Sequence, residues 1–246
     1  MSDLKRCLTL ILALAATAAV AETVAESGRV VRGSVQFGDR ACSLLLNPRI
    51  ARGYGRAAGA RQSDRTVSER LAELLSDVVV YIADDNPEDG QWQGPPVDLA
   101  VATKMVTMHQ KDKAFVPRVL PIVIGTSVQF PNDDSFYHNV FSLTEGCCFD
   151  LGKYSKASPA KKYKFERLGI VEIFCDIHRN MRAHIRVLEC PYFTTPDADG
   201  SFEIRGVPPG QWTLHAWHPA LPEITIAVPA DDTAVVRLLQ PLILNK

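Results

Sequence analysis

Between Lys104 and Cys190 the chain never runs far without a short apolar or alternating segment closed by Gly, Pro, Asn or Asp. Met105–His109, Phe115–Ile124, Val128–Phe130, His138–Leu143, Lys162–Phe165, Gly169–Phe174 and His184–Leu188 each have the length and residue types of a strand. Strands this short and this closely spaced must bury one face each, which predicts an all-β sandwich or barrel.

The flanks are organised differently. Arg29–Phe37 alternates weakly and predicts a first strand ended by Gly38-Asp39. Residues 47–65 carry Arg49, Arg52, Arg56, Arg61 and Arg65 among Gly and Ala without a hydrophobic period, the pattern of a solvated loop. Its Gly53-Tyr-Gly55 lacks the leading strand and third glycine of a dinucleotide loop. Leu71, Leu74 and Leu75 share one helical face, so a short helix is expected with Ser68 as its cap. Val78–Ile82 then reads as a buried strand, and residues 84–98 as a Pro/Gly/Asp loop.

After Pro191 come Ser201–Arg205, Trp212–His218, Glu223–Val228 and Thr233–Leu239, introduced by the turn Asp197-Ala-Asp-Gly200. A calcium loop is excluded there because Phe202 stands where that loop needs glycine. Four strands are few for an independent sandwich, so the early strands are expected to complete a small second one, with the central unit inserted between them. The resulting division is 1–21 as leader, 22–103 as an N-terminal β segment, 104–190 as the central unit and 191–246 as the C-terminal β unit.

The leader reading rests on Lys5 and Arg6, the apolar run Leu8–Val20, and Ala19-Val20-Ala21 as a small-residue cleavage site. The run is shorter than the ~20 residues of a spanning helix. Removing residues 1–21 takes away Lys5, Arg6 and Asp3, so 27 basic and 28 acidic residues become 25 and 27. A balance so close to neutral points to neither nucleic acid nor a membrane surface as partner, and no other segment could span a bilayer. Export places Cys42, Cys147, Cys148, Cys175 and Cys190 in an oxidising compartment. With Cys175 reserved for chemistry, the other four can form two disulfides in three connectivities, or stay free and buried.

Cys175 is reserved because of its surroundings. Cys175-Asp-Ile-His178-Arg-Asn-Met181 follows a strand-like segment and puts a thiolate, an imidazole and a thioether in one short turn. A second imidazole, His138, stands at the mouth of another strand. Two His, one Cys and a weak Met are the ligands of a mononuclear type 1 (blue) copper site; a thioether would add little to zinc binding. The remaining histidines make poorer ligands. His184 alternates with Arg186 and is expected to face solvent, His215 and His218 should fall on opposite faces of one strand, and Met105, Met108 and His109 read as a strand with core Met rather than a loading site.

Phe130-Pro-Asn…His138-Asn-Val and Cys175-x-x-His178-x-x-Met181-Arg182 resemble the cupredoxins, the small blue copper proteins, with a Cys-to-Met spacing similar to amicyanin rather than plastocyanin. Gln110…Phe115-Val-Pro-Arg-Val-Leu-Pro-Ile, Phe149-Asp-Leu-Gly-Lys-Tyr154 and Val207-Pro-Pro-Gly…Trp217-His218 resemble a subgroup of periplasmic plastocyanin-like proteins associated with methylamine utilisation. The resemblance implies a cupredoxin-like Greek-key β-sandwich, a carboxypeptidase-regulatory-like β tail, His138, Cys175, His178 and Met181 as copper ligands, and Asn139 as the residue tying the ligand strands together. Cys147-Cys148 and the arginine-rich loop depart from that pattern.

The expected function is periplasmic transfer of single electrons, with copper as cofactor and His178 as the exit edge. The alternative is a copper-binding module for delivery or for assembly of a larger complex. Catalysis is not expected: no His-x-His pair, Gly-x-Ser-x-Gly or His-Glu-x-x-His occurs, and the ligand loop has one Cys where a binuclear site needs two. Lys153, Lys156, Lys161, Lys162, Lys164, Arg179 and Arg182 are the residues expected to steer an acidic redox partner.

Overall fold

The computed structural model describes residues 28–46, 66–83, 94, 104–228, 235–237 and 242–244. The leader, the arginine-rich loop and nearly all of the loop at 84–98 lie outside the described residues. The elements are β1 (Arg29–Phe37), α1 (Asp39–Leu45), α2 (Val67–Leu75), β2 (Val79–Ala83), β3 (Val106–Thr107), β4 (His109–Lys111), β5 (Ala114–Val116), β6 (Val119–Val123), β7 (Ser127–Phe130), β8 (His138–Ser142), β9 (Phe149–Tyr154), β10 (Lys161–Lys164), β11 (Gly169–Phe174), β12 (Arg182–Leu188), β13 (Phe193–Thr194), β14 (Ser201–Val207), β15 (Trp212–His218), β16 (Leu221–Val228), β17 (Val235–Arg237) and β18 (Leu242–Leu244). The all-β class expected from the sequence is the class observed.

The central unit sets a five-stranded sheet, ordered β6-β12-β11-β8-β9, against a three-stranded sheet, β10-β7-β3, with β4-β5 as a separate hairpin. Alternation explains the packing. Val171 and Ile173 on β11, with Ala183, Ile185 and Val187 on β12, point inward to meet Val128, Phe130, Phe165 and Met108, all buried in one apolar cluster. The run Phe115–Ile124 divides into β5 and β6 around the cis peptide Val116-Pro117, because proline cannot donate to a continuing ladder. Phe149–Tyr154 is an edge strand that its own residues, with Asp150, Gly152 and Lys153, do not predict.

The second sandwich draws its strands from both ends of the chain, as expected. β1 pairs with β14 antiparallel and with β17 and β18 parallel, while β2 lies between β13 and β15, with β16 on the outer edge. Val31, Val35, Phe202 and Ile204 of one sheet and Val80, Ile82, Leu214 and Ala216 of the other form one core, closed by Ala41 and Leu45 of α1 and Leu74 and Leu75 of α2. Asp39–Leu45, for which the sequence predicts no element, is helical, and one local expectation is corrected: the cap of α2 is Thr66, not Ser68, because Thr66 Oγ1 accepts the Glu69 N–H while the Glu69 carboxylate accepts the Thr66 N–H, a complete capping box.

The two sandwiches meet through Val79, Tyr81 and Trp217 on one side and Val119 and Leu188 on the other. This contact covers the outer face of β12 and corrects the solvent-facing expectation for His184. Its side chain is only 12% exposed and stands edge-on to Trp217, with ring centroids 6.1 Å apart. Arg186 lies over both Tyr81 and Trp217, and Arg118 forms a bidentate ion pair with the buried Asp77. His215 and His218 are both buried, on either side of a register shift in β15, with His215 stacked on Tyr81 and His218 edge-on to Phe37. Cys42, Cys147, Cys148, Cys175 and Cys190 are all free thiols, so the disulfide alternative is not realised among the described residues.

Candidate metal centre

The site is assembled by strand register. β8 and β11 are antiparallel neighbours with Phe141 opposite Phe174, so residues at the start of β8 lie alongside those that follow β11. His138 begins β8 and Cys175 follows β11. The loop from Cys175 to Met181 is closed at both ends by backbone bonds: the Met181 N–H donates to the His178 carbonyl at 2.8 Å, and the Cys175 N–H to the Met181 carbonyl at 3.3 Å. That fold-back returns His178 to the cysteine.

Cys175 Sγ lies 3.8 Å from His138 Nδ1 and 3.7 Å from His178 Nδ1, and the three ligand atoms lie within 4.8 Å of one another. Metal–nitrogen and metal–sulfur bonds of about 2.05 and 2.3 Å would separate nitrogen from sulfur by about 3.5 Å in a tetrahedral arrangement and 3.8 Å in a trigonal one. The spacing fits a central ion. The proton count agrees, because a thiol hydrogen can be donated to one imidazole and the sulfur faces two. Met181, the fourth expected ligand, is wholly buried in the same apolar cluster as Cys175.

The local field prepares the donors. Burial works against the Cys175 thiolate, but its hydrogen bond with His138 and the backbone N–H groups of Asn139, Ile177 and His178 outweigh it and hold the thiol below its ordinary pKa. Burial, reinforced by the charge of His138 and by Lys113, pushes His178 down, which keeps its nitrogen available. Asn139 ties the strands together: its Oδ1 accepts the Asp176 N–H at 2.8 Å and its Nδ2 donates to Asp150 at 3.2 Å.

Two residues at the site were not singled out from the sequence. Asp134 Oδ2 lies 2.8 Å from His138 Nε2, and Phe136 packs against both imidazoles, at centroid distances of 5.1 Å to His138 and 5.5 Å to His178. The available signal was the cluster Asn132-Asp-Asp134, whose turn chemistry is realised: Asn132 Oδ1 accepts the Asp134 N–H, and Asn132 Nδ2 donates to the Phe136 and Tyr154 carbonyls. The basic residues expected to steer a partner are partly paired. Lys153 lies 3.3 Å from Asp176 and Lys164 lies 2.7 Å from Glu166, whereas Lys156, Lys162 and Arg179 are exposed.

Fold and site together define a β-sandwich protein in which a buried histidine and a buried cysteine meet a half-buried second histidine. No family model matches the chain, and no curated protein does. Among solved structures it is similar to a Cu-containing nitrite reductase from Thermus scotoductus SA-01, at 28% identity over 35% of this chain and 23% of the reductase, TM-score 0.33. It is also similar to a purple cupredoxin from Nitrosopumilus maritimus, at 22% identity over 34% of this chain and 99% of the cupredoxin, TM-score 0.30. Amicyanin from Paracoccus versutus aligns at 21% identity over 44% of this chain and 97% of amicyanin, TM-score 0.31. The chain thus spans under a quarter of the reductase and nearly all of the two smaller proteins. Likenesses this partial leave fold and site resting on the strand pairing and donor geometry above.

Proposed function

We propose that this chain is a single-electron carrier with one mononuclear type 1 copper held by His138, Cys175, His178 and Met181, working in the periplasm after export. Two imidazole nitrogens at 3.7 and 3.8 Å from one buried sulfur of lowered pKa carry the reading. Copper bound there supplies a couple between Cu(I) and Cu(II). The chain's own residues hold the donors in one geometry for both states: β8 and β11 fix His138 and Cys175, two backbone bonds close the ligand loop, and Phe136 shields the imidazoles from water. The leader pattern at 1–21 supports export, and among the described residues no helix is long and apolar enough to cross a membrane.

This reading assigns no catalytic role. Electrons leave through the half-buried His178, beside the exposed Phe136, Tyr137 and Ile177, where Lys113 and Arg179 favour an acidic partner. The decisive experiment adds Cu(II) to the purified protein and records its visible spectrum. An intense thiolate-to-copper band at one copper per chain, lost in Cys175→Ser, is the expected result; a colourless protein without stoichiometric copper would overturn the reading.

A further inference from the structure

His138 is gripped at both ring nitrogens. Nδ1 faces the Cys175 sulfur, and Nε2 lies 2.8 Å from Asp134 Oδ2 in a site where the imidazole is fully buried and Asp134 nearly so. The carboxylate is itself fixed from an adjacent hairpin. Its Oδ1 accepts the Asp112 N–H at 2.8 Å and its Oδ2 the Lys113 N–H at 3.0 Å. Asp112 and Lys113 are the two turn residues between β4 and β5, with φ of 54° and 59°, the left-handed pair of a type I′ turn that aims both N–H groups at one acceptor. Behind Asp134, the Asn132 side chain accepts its N–H and holds the loop to the Tyr154 and Phe136 carbonyls.

We propose that Asp134 is the positioning residue of the metal centre: its carboxylate holds the proton of His138 on Nε2, leaving the Nδ1 lone pair directed at the metal, and biases the bound copper toward Cu(II). The inference rests on the copper reading above. An ionised acceptor on the far nitrogen makes the imidazole a stronger donor, and its negative charge favours the more highly charged metal state. Backbone amides oriented before the metal arrives hold the carboxylate in place, so the ring does not reorganise on binding. Asp134→Asn keeps size and an acceptor oxygen but removes the charge, whereas Asp134→Ala removes both.

The test has a metal-free arm and a copper arm. In the apoprotein, nitrogen NMR of His138 should show the Nε2–H tautomer in the wild type and in Asp134→Asn, and a mixture of tautomers in Asp134→Ala. With copper, Asp134→Asn should weaken Cu(II) binding about tenfold or more and Cu(I) binding less. The potential should rise by about 59 mV for each tenfold difference between the two. Circular dichroism of each variant establishes that it folds, and Asp134→Asn, which keeps the size and one acceptor oxygen, decides if Asp134→Ala does not. A blue wild type whose Asp134→Asn variant keeps both dissociation constants and its potential overturns the role of Asp134 while leaving the copper reading intact. A wild type that takes up no copper overturns both.

Discussion

The Asp176 backbone N–H and the Asn139 side-chain oxygen are 2.8 Å apart, a single bond that joins the ligand loop to the strand bearing His138. It links the segments that supply His138 and Cys175, and the Asn139 backbone adds an N–H to the cysteine sulfur. Asn139→Ala should therefore loosen two ligands together. We expect a loss of about 1–2 kcal/mol in stability and a 10- to 100-fold weaker hold on copper, measured by urea denaturation and chelator competition. Unchanged copper retention would remove the tying role from Asn139.

The contact between the sandwiches contains a buried ion pair. Asp77 precedes β2 in the second sandwich and Arg118 precedes β6 in the first, with side chains 3% and 12% exposed. Truncating one partner leaves a buried charge unpaired. Arg118→Ala should cost about 3–5 kcal/mol, whereas the double variant Arg118→Met with Asp77→Leu should recover much of that loss. A double-mutant cycle showing no coupling would mean that this ion pair does not help to hold the two units together.

His184 gives the fold a predictable acid sensitivity. Burial, with Arg118 and Arg182 adding repulsion, lowers its pKa from 6.5 to about 4, and the exposed Glu172 at 3.7 Å does not offset this. The folded state therefore binds fewer protons than the unfolded state between those values. Stability is complete above pH 6.5 and falls as the pH drops toward 4, by on the order of 2–3 kcal/mol from this group. Denaturation of wild type and His184→Gln at pH 7 and pH 5 checks it: the variant should show the shallower loss, and parallel slopes would exclude His184 as the source.

Gly200 sits at the turn into β14 with φ of +87°, and a Cβ built there would lie 2.2 Å from the Val35 carbonyl oxygen. The approach is close because Val35 donates its N–H to the Gly200 carbonyl at 2.8 Å. Gly200→Ala should lose roughly 1–3 kcal/mol from the backbone conformation alone, before the clash is counted. Equal urea midpoints for variant and wild type would contradict this.

The expected donors were read from residue type and spacing, and three of them, His138, Cys175 and His178, converge in space. The strands around them were legible from alternation. Asp134 was not, since nothing in Asp133-Asp134 tells which carboxylate meets a histidine four residues on; the β4-β5 hairpin makes that selection through space. Nor was the setting of His184. Alternation along β12 correctly places Ala183, Ile185 and Val187 inside and His184 and Arg186 outside, yet the outer face is covered by a second sandwich that the strand itself does not encode. β9 was missed because its pairing with β8, rather than its own residues, makes it a strand.

The pairing of β1 with β14 joins Arg29 to Val207 and Ser34 to Ser201. No part of that ladder can exist until some 170 intervening residues have been enclosed, a closure whose entropic cost grows with the length of the loop. The central unit, by contrast, has all of its strands between Val106 and Leu188. Its pairings are the more local, and local contacts favour early formation. The candidate metal pocket is thus positioned to mature first, while the outer sandwich acts as a late clasp that fastens the two distant stretches of chain around it.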